Sequence, residues 1–322
     1  MGPRSASPAV VALGGGHGLS ASLAALRLLS ERLTAVVTVA DDGGSSGRLR
    51  SELGVLPPGD LRMALSALCD ESEWGRTWSE LLQHRFSSDG ELDRHAVGNL
   101  IIVALWQILG DTVEGLDWVG RLLGVHGRVL PMSSVPLAIE ADCRVDGELV
   151  TVRGQSKVAK APGPIEELRM EPPDAAACAE TIEAIRDADW VVLGPGSWYT
   201  SVITHLLVPD LAAALHETSA RRCVTLNLEP EVGETDGLGP TEHLELLHRY
   251  APDLRVDAVV ADPTSVDDTD RLAQATDRMG ARLLLRQVSR GDGSARHDPL
   301  RLATAYQDAF DGFWGDVGTR VG

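Results

Sequence analysis

Short aliphatic and β-branched runs alternate along the chain with longer segments whose apolar residues recur every three or four positions. The first run, Ala9–Leu13, is followed by glycines and then by an apolar stripe at Leu19, Leu23, Leu26 and Leu29. Similar runs follow at Ala35–Val39, Trp190–Leu193, Cys223–Leu228, Val256–Val260 and Arg282–Leu285. This alternation is typical of βαβ units. It predicts an α/β fold with a Rossmann-like, mostly parallel, doubly wound sheet.

The alternation changes twice. Residues 74–123 have a mainly helical pattern, whereas residues 128–170 contain short alternating runs around Asp146-Gly147, which is a hairpin-turn signal. We therefore predict a single α/β domain over residues 1–322, with a small strand-rich insertion at about 128–170. Helices are expected over Ala175–Arg186 and from Pro209 onward, with no internal repeat.

The net charge, the cysteines and the apolar stretches exclude several classes of protein. Asp and Glu number 47 against 29 Lys and Arg, a net charge of −18, which argues against a nucleic-acid partner. The four cysteines lie far apart without a C-x-x-C pair, as expected for a protein of the reducing cytoplasm. The most apolar stretch, residues 100–109, is too short to span a bilayer, so we expect no membrane insertion.

Two glycine-rich segments follow predicted strands. Gly14–Gly18 enters a helix, where backbone amides free of Cβ atoms can approach a phosphate near the positive end of the helix dipole. Gly194-Pro195-Gly196-Ser197 repeats the design in the second half of the chain and leads to Tyr199, Thr200 and Ser201. Leu19 breaks the dinucleotide pattern G-x-G-x-x-G. The structural alternative is a tight turn at the first segment and a helix cap by Thr200 or Ser201 at the second.

A third polar segment follows the second strand. Asp41 and Asp42 can bind a ribose hydroxyl or a divalent ion such as Mg²⁺ held with a diphosphate. Ser45, Ser46 and Arg48 add phosphate or sugar donors, although Asp before Gly43-Gly44 is also ordinary turn sequence. The Gly- and Ser-rich composition predicts a loop through Gly47.

No nucleophile or catalytic motif is visible in the sequence, so no catalytic residue is assigned. The metal candidates are Asp41 and Asp42. The nucleotide- and phosphate-binding candidates are Gly14, Gly15, Gly16, His17, Gly18, Ser20, Gly43, Gly44, Ser45, Ser46, Arg48, Asn99, Gly194, Pro195, Gly196, Ser197, Tyr199, Thr200, Ser201 and Asn227.

These segments resemble one known family along nearly the whole chain. The resemblance rests on Gly14–Ser20, Val39–Arg50, Leu56–Arg62, Val97–Leu100 and Gly194–Ser201. The chain resembles the gluconeogenesis factors of the YvcK type, within the CofD-like superfamily that includes the 2-phospho-L-lactate transferases.

The resemblance implies a cytoplasmic, non-catalytic protein that binds a UDP-sugar, with UDP-N-acetylglucosamine as the expected ligand. Its implied role is regulatory, in gluconeogenic carbon metabolism and in cell shape through cell-wall precursors. The alternative is a transferase that uses a nucleoside-diphosphate-activated donor and a deazaflavin acceptor. A homodimer, and a protein partner from cell-wall or carbon metabolism, are compatible with both. Two departures from the family pattern are His17 and the acidic segment Glu229-Pro230-Glu231.

Overall fold

Ten strands build two sheets in the computed structural model, which describes residues 7–231 and 233–314. They are β1 (Ala9–Gly14), β2 (Arg32–Val37), β3 (Arg128–Pro131), β4 (Ala138–Val145), β5 (Glu148–Arg153), β6 (Ile165–Glu171), β7 (Trp190–Leu193), β8 (Arg221–Thr225), β9 (Ala258–Ala261) and β10 (Arg282–Leu285). Seven of them form the main sheet, in the order β10-β9-β8-β7-β1-β2-β3, and every pair in it is parallel. The predicted α/β fold with a parallel sheet is confirmed.

Helices flank this sheet. They are α1 (Gly16–Leu26), α2 (Gly44–Leu53), α3 (Gly59–Leu68), α4 (Glu73–Gln83), α5 (Val97–Leu109), α6 (Thr112–Leu123), α7 (Gln155–Val158), α8 (Ala179–Arg186), α9 (Pro209–Glu217), α10 (Pro240–Tyr250), α11 (Thr269–Arg278) and α12 (Pro299–Asp311). The strands β1, β7 and β9 are buried at every position. Burial on both faces explains why they are continuous apolar runs in the sequence.

The strand order reverses in the middle of the main sheet. From β1 the chain builds outward through β2 to β3, then returns to the other side of β1 and builds outward from β7 to β10. The reversal lies between β1 and β7, which pair through Val10 and Trp190. Ligands of open parallel sheets bind at such a point, outside the carboxyl ends of the strands.

The predicted insertion is a small antiparallel sheet in the order β5-β4-β6. It starts at Ala138, ten residues later than the sequence pattern indicated, because Arg128–Pro131 pair with β2 in the main sheet. Asp146, at the predicted hairpin turn, has a positive φ of 48° between β4 and β5.

Two local predictions were wrong. Gly44–Gly47 form the first turn of α2 instead of a loop, because Ser45 and Ser46 are buried and Gly47 packs on the Asp42 carbonyl group. These tertiary contacts outweigh the poor helix propensity of glycine. The helix predicted from Ala175 begins at Ala179. In the described part of the chain, no helix is long and apolar enough to cross a membrane.

Candidate functional site

The two glycine segments meet at the point where the strand order reverses. A Cβ atom on Gly18 would overlap with the carbonyl group of Pro195 and would lie 2.5 Å from the Cα of Gly196. Glycine is therefore required at position 18 by the approach of two backbones. Because α1 starts at Gly16, its first-turn amides at His17 and Gly18 have no helical acceptor. Two segments that are 180 residues apart in the chain thus meet at one helix end, which is a candidate site for an anion.

A cavity of about 490 Å³ opens beside this contact. It is lined by the start of α1 and by the segments that follow β7, β8 and β10. The predicted residues among its walls are His17, Gly18, Ser20, Pro195, Gly196 and Asn227. Its volume lies within the range of small-molecule sites, and its walls combine backbone amides with charged side chains.

Two arginines of this cavity were missed by the sequence analysis. Arg290 and Arg296 follow β10 and line the cavity together with the start of α1. Both are exposed, and within residues 7–231 and 233–314 neither guanidinium group forms an ion pair. They supply positive charge for a phosphate-bearing ligand. The glycine-rich segment Arg290–Gly293 after a strand is the signal that could have identified them.

Asn227 fixes the second glycine segment. Its Oδ1 accepts a hydrogen bond from the Gly196 amide at 2.9 Å, and its Nδ2 donates to the Gly196 carbonyl at 3.0 Å. The side chain therefore holds the backbone of Gly196 in place at the cavity wall. Asn227 therefore shapes the site through Gly196, to which both ends of its amide are bonded.

Two glutamates hold the start of the turn that follows Gly196. The hydroxyl group of Ser197 donates to the carboxylate of Glu231, and the amide of Thr200 donates to Oε1 of Glu234 at 2.7 Å. Glu234 is buried, and burial together with the nearby Glu231 raises its pKa to about 7. The hydroxyl group of Ser197, which the sequence suggested as a phosphate donor, is thus occupied by a carboxylate.

The remaining polar candidates after β7 are buried in the fold. Tyr199 and Thr200 lie in a π-helical turn, Trp198–Val202, a rare conformation that is common at functional sites. The hydroxyl group of Tyr199 donates to the Ile165 carbonyl at 3.4 Å and so joins this turn to the insertion.

On α1, the hydroxyl group of Ser20 donates to the Gly16 carbonyl at 2.9 Å.

A pair of carboxyl groups lies where β1 and β2 end. Asp60, in the first turn of α3, accepts a hydrogen bond from the Gly16 amide. A Cβ on Gly15 would lie 2.6 Å from Oδ2 of Asp60, and a Cβ on Gly59 would lie 3.1 Å from Oδ2 of Asp41. Burial and the charge of Asp41 raise the pKa of Asp60 to about 7. Burial also raises the pKa of Asp41, against hydrogen bonds from Gly43 and Ser46.

In the sequence Asp60 precedes an apolar helical run, where an acid commonly caps a helix. The cap position is occupied by Pro58, and Asp60 points toward the first glycine segment instead. Two half-buried carboxyl groups that oppose each other's ionisation suit a divalent cation, which would neutralise both. In the ranges that the structure describes, no cluster of three or more His, Cys, Asp or Glu residues suits a metal ion. Phosphate and water oxygens would complete the coordination of Mg²⁺ here.

Asp42 has a different role from its neighbour. Its Oδ1 accepts hydrogen bonds from the amide and the hydroxyl group of Ser156, at 2.9 Å and 2.5 Å. Gly154 packs so closely on the same carboxylate that a Cβ there would overlap with it. Asp42 thus attaches the insertion to the segment after β2, which leaves Asp60 as the candidate partner of Asp41 for a metal ion.

A second, larger cavity of about 1180 Å³ lies between α2 and residues 90–95. Gly44, Asp42 and Arg48 line it. Arg48 donates to the carbonyl groups of Glu91 and Asp93 at 3.0 Å and 2.5 Å. Its guanidinium group therefore holds the cavity wall in place.

Ser45 and Asn99 belong to a buried polar network beneath this cavity. The Ser45 hydroxyl group contacts Nδ1 of His95 at 3.0 Å and accepts from Nδ2 of Asn99 at 3.0 Å. Oδ1 of Asn99 accepts from Nε of Arg62 at 2.9 Å. The network joins α2, α3 and α5 and leaves Asn99 1% exposed. Ser45 and Asn99 are therefore buried in the fold, and neither residue lines the 490 Å³ or the 1180 Å³ cavity.

Together, the fold and the 490 Å³ cavity define a Rossmann-like α/β protein. Its candidate phosphate-binding loops lie where the strand order reverses. A family model described as 2-phospho-L-lactate transferase CofD matches residues 10–284. The chain is 49% identical over 305 residues to the "Putative gluconeogenesis factor" of Mycobacterium leprae, covering 92% of this chain and 85% of that protein. The chain belongs to the CofD family.

Two further comparisons agree with this assignment. The "Gluconeogenesis factor" of Halalkalibacterium halodurans is 39% identical over 269 residues, covering 84% of this chain and 82% of that protein. A crystal structure of a UPF0052 family member from Bacillus halodurans is 35% identical, with a TM-score of 0.82. The superposition covers 92% of this chain and 98% of that chain. The similarity to gluconeogenesis factors that the sequence motifs indicated is confirmed.

Proposed function

We propose that the protein binds a nucleoside-diphosphate sugar, with UDP-N-acetylglucosamine as the first probe, and acts as a regulatory protein. The observation that carries this proposal is the backbone contact between Gly18 and Pro195, which brings two glycine segments together at the start of α1, beside a 490 Å³ cavity. Such an arrangement suits a diphosphate, and the cavity has room for a nucleoside. The regulatory role, in gluconeogenic growth and cell shape, is supported by relatives named gluconeogenesis factor.

The charged side chains of the cavity wall determine the orientation of the ligand in this proposal. Arg290, Arg296 and the start of α1 provide positive potential, whereas Glu229 and Glu231 line another part of the wall. In this proposal the phosphates bind at the arginines and the helix terminus. The carboxylates of Glu229 and Glu231 accept hydrogen bonds from N–H or O–H groups of the nucleoside.

Isothermal titration with UDP-N-acetylglucosamine tests the proposal, with GDP and a deazaflavin as comparison ligands and Mg²⁺ present or absent. The double variant Arg290→Gln/Arg296→Gln is expected to weaken binding at least about tenfold, because two phosphate partners are lost. Arg32→Gln/Arg186→Gln removes the same charge at exposed sites at the amino end of the sheet and serves as the control. No heat of binding for any UDP-sugar in the wild type would refute the proposal.

A transferase is the second candidate, and the pair Asp41 and Asp60 favours it. A metal ion held by these carboxylates can stabilise a diphosphate leaving group, which group transfer from an activated nucleotide requires. The matching family description, 2-phospho-L-lactate transferase, supports the same chemistry. Turnover of a deazaflavin acceptor that is lost in Asp60→Asn would favour the transferase over the regulatory protein. GDP and deazaflavin binding without UDP-sugar binding would point the same way.

The proposal includes a cytoplasmic location. All four cysteines are buried free thiols, which a reducing compartment maintains. A homodimer, and a protein partner from cell-wall or carbon metabolism, remain part of the proposal. Co-purification with and without UDP-N-acetylglucosamine, followed by mass measurement in solution, would reveal either.

A further inference from the structure

Two helices that line neither cavity present tryptophan side chains to solvent. Trp74 on α4 and Trp118 on α6 are 56% and 47% exposed, although tryptophan is on average a well-buried residue. Leu81 and Leu122, on the same two helices, are 39% and 40% exposed. We call these four side chains and the half-buried Trp78 the tryptophan face. It holds three of the seven tryptophans of the chain.

The tryptophan face is continuous across the two helices. Trp74, Trp78 and Leu81 recur at the spacing that places side chains on one side of a helix. The same spacing separates Trp118 from Leu122 on α6. The ring centroids of Trp74 and Trp78 lie 5.4 Å apart. Nε1 of Trp74 donates to the Leu122 carbonyl at 3.0 Å, so the apolar stripe of α4 is joined to that of α6.

Acidic residues surround the tryptophan face. Residues 70–83 and 111–123, which include α4 and α6, contain seven acids and two arginines. Glu73, Glu80 and Glu114 are exposed, and within the described ranges none of them forms an ion pair. Complementary charge selects the partner of an interface. The free carboxylates therefore favour a cationic partner.

The tryptophan face already binds a cation of its own chain. The guanidinium group of Arg121 lies over the Trp118 ring, 4.9 Å from its centroid. Such contacts arise because the face of an indole ring carries negative charge density. In the described part of the chain no cation lies over the ring of Trp74, which leaves that ring available to a partner.

Area and charge both argue against a second copy of this chain as the partner. A two-fold dimer through this face would place the acidic surroundings of both copies against each other. About half of roughly 200 Å² for each of Trp74 and Trp118, with smaller parts of two leucines, gives on the order of 300 Å² of exposed apolar surface. A standard interface buries about 800 Å² on each partner. A surface of the smaller size suits one side of a single helix.

We propose that the tryptophan face binds a basic amphipathic helix of a protein partner. Apolar residues of that helix pack on Trp74, Trp78 and Trp118, and its lysines and arginines pair with the free carboxylates beside them. The tryptophan face lies outside the 490 Å³ and the 1180 Å³ cavities. The interaction is therefore a second activity, beyond the proposed binding of a nucleoside-diphosphate sugar and independent of it.

Three synthetic peptides of about four helical turns test this proposal. The first has leucines along one side of the helix and lysine or arginine elsewhere, and the second has glutamate at those polar positions. The third has the composition of the first in an order that forms no apolar side. Isothermal titration of the whole chain at about 0.15 M salt is expected to show the first peptide binding at least about tenfold tighter than the others.

The other outcomes of this titration overturn the proposal. Equal binding of the first and third peptides would show only the attraction of a basic peptide to an acidic protein. Equal binding of the first and second would show that the carboxylates do not select the partner. Absence of binding by the first peptide would show that the tryptophan face does not accept a basic helix.

The double variant Trp74→Ala/Trp118→Ala assigns the binding to the tryptophan face. Its affinity for the first peptide is expected to fall at least about tenfold, because tryptophans are among the side chains that contribute most to interfaces. Leu149→Ala/Leu300→Ala is the matched control, since both leucines are more than half exposed, on β5 and α12, and it keeps the wild-type affinity. Far-UV circular dichroism verifies the folding of both variants. Wild-type affinity in the tryptophan variant overturns the proposal.

A second variant leaves the tryptophans in place. Glu73→Gln/Glu80→Gln removes two exposed carboxylates and is expected to weaken binding of the first peptide about fivefold, with a smaller dependence on salt. Unchanged affinity in this variant would overturn the proposed basic character of the partner.

Sedimentation of the wild type and of Trp74→Ala/Trp118→Ala tests the second copy as the occupant. The two proteins are expected to have the same mass in solution. A wild-type dimer that dissociates only in the tryptophan variant would show that a second copy covers this face, and would overturn the proposal.

Discussion

Gly18 and Pro195 touch through their backbones, and no side chain fits between them. Gly18→Ala forces the two glycine segments apart, since the new Cβ would overlap with a carbonyl group that cannot rotate away. We expect a loss of about 2 kcal/mol in the free energy of unfolding, typical of a steric insertion into a packed site. Affinity for UDP-N-acetylglucosamine should fall at least about tenfold, because a displacement near 1 Å separates the amides from the phosphates.

Urea denaturation and isothermal titration measure the two effects of Gly18→Ala. Gly90→Ala is the stability control, since a Cβ there meets no atom within 4 Å. Equal urea midpoints for Gly18→Ala, Gly90→Ala and the wild type would show that the two segments separate without cost.

Asp60 makes stability depend on pH. Its pKa is about 7 in the folded protein against an ordinary value of 3.8, so between these pH values the folded state holds a proton that the unfolded state has released. Stability therefore falls as pH rises from about 4 to 7 and is lowest above 7. Solvent near this half-buried group moderates the effect, and we expect Asp60→Asn to stabilise the protein by about 2 kcal/mol at pH 8 and little at pH 4.

Urea denaturation at pH 4.5 and pH 8 in the absence of metal measures this difference. Glu234, with a pKa also near 7, contributes a similar slope that remains in Asp60→Asn. A variant that is destabilised at both pH values would contradict the assignment of the raised pKa to Asp60.

We expect Mg²⁺ to stabilise the protein by binding Asp41, without a contribution from Asp42. At pH 8 Asp60, with a pKa of about 7, is largely ionised, and a cation between it and Asp41 removes the repulsion that the Asp41 charge exerts on it. We expect Mg²⁺ at about ten times its dissociation constant to raise Tm by about 2–4 °C. The rise should vanish in Asp41→Asn.

The comparison variant is Asp42→Asn, whose native carboxylate is bound by Ser156. It should lower the starting Tm and keep the rise on Mg²⁺ addition. Differential scanning fluorimetry with and without EDTA measures both quantities. Loss of the rise in Asp42→Asn and its retention in Asp41→Asn would reverse the assignment.

Asn99 is expected to matter for stability more than for ligand affinity. Asn99→Ala removes the partner of Nε of Arg62 and one of the partners of the Ser45 hydroxyl group in a buried network. Loss of a partner for buried polar groups costs about 1–3 kcal/mol. Chemical denaturation should show this loss, whereas the exposed Ser51→Ala on α2 should change stability by less than about 0.5 kcal/mol. A large fall in nucleotide affinity at unchanged stability would instead show that Asn99 contacts the nucleotide.

The sheet and the glycine segments could be predicted from the sequence, because each of them is a local pattern. A buried parallel strand is a short apolar run, and Gly14–Gly18 follows such a run directly. The side of the sheet on which these segments meet also follows from the pattern, since the carboxyl ends of parallel strands share one edge.

The partners of individual side chains could not be predicted, because they come from distant parts of the chain. Asp60 meets Gly15 across 45 positions, and Ser156 meets Asp42 across 114. The sequence treats Asp60 as an ordinary acid in a helix start, and only tertiary packing reveals its burial. The same holds for Asn227, whose amide bonds Gly196 through both its oxygen and its nitrogen.

Pairing of β1 with β7 has a consequence for synthesis on the ribosome. The amide of Ala9 donates to the carboxylate of Asp189, and Val10 lies opposite Trp190, so one edge of the first strand stays open until residues near 193 have emerged. Contacts of such sequence separation form late, after their loop-closure entropy is met. A nascent chain that ends before β7 exposes an apolar strand edge, which is the type of surface that molecular chaperones cover.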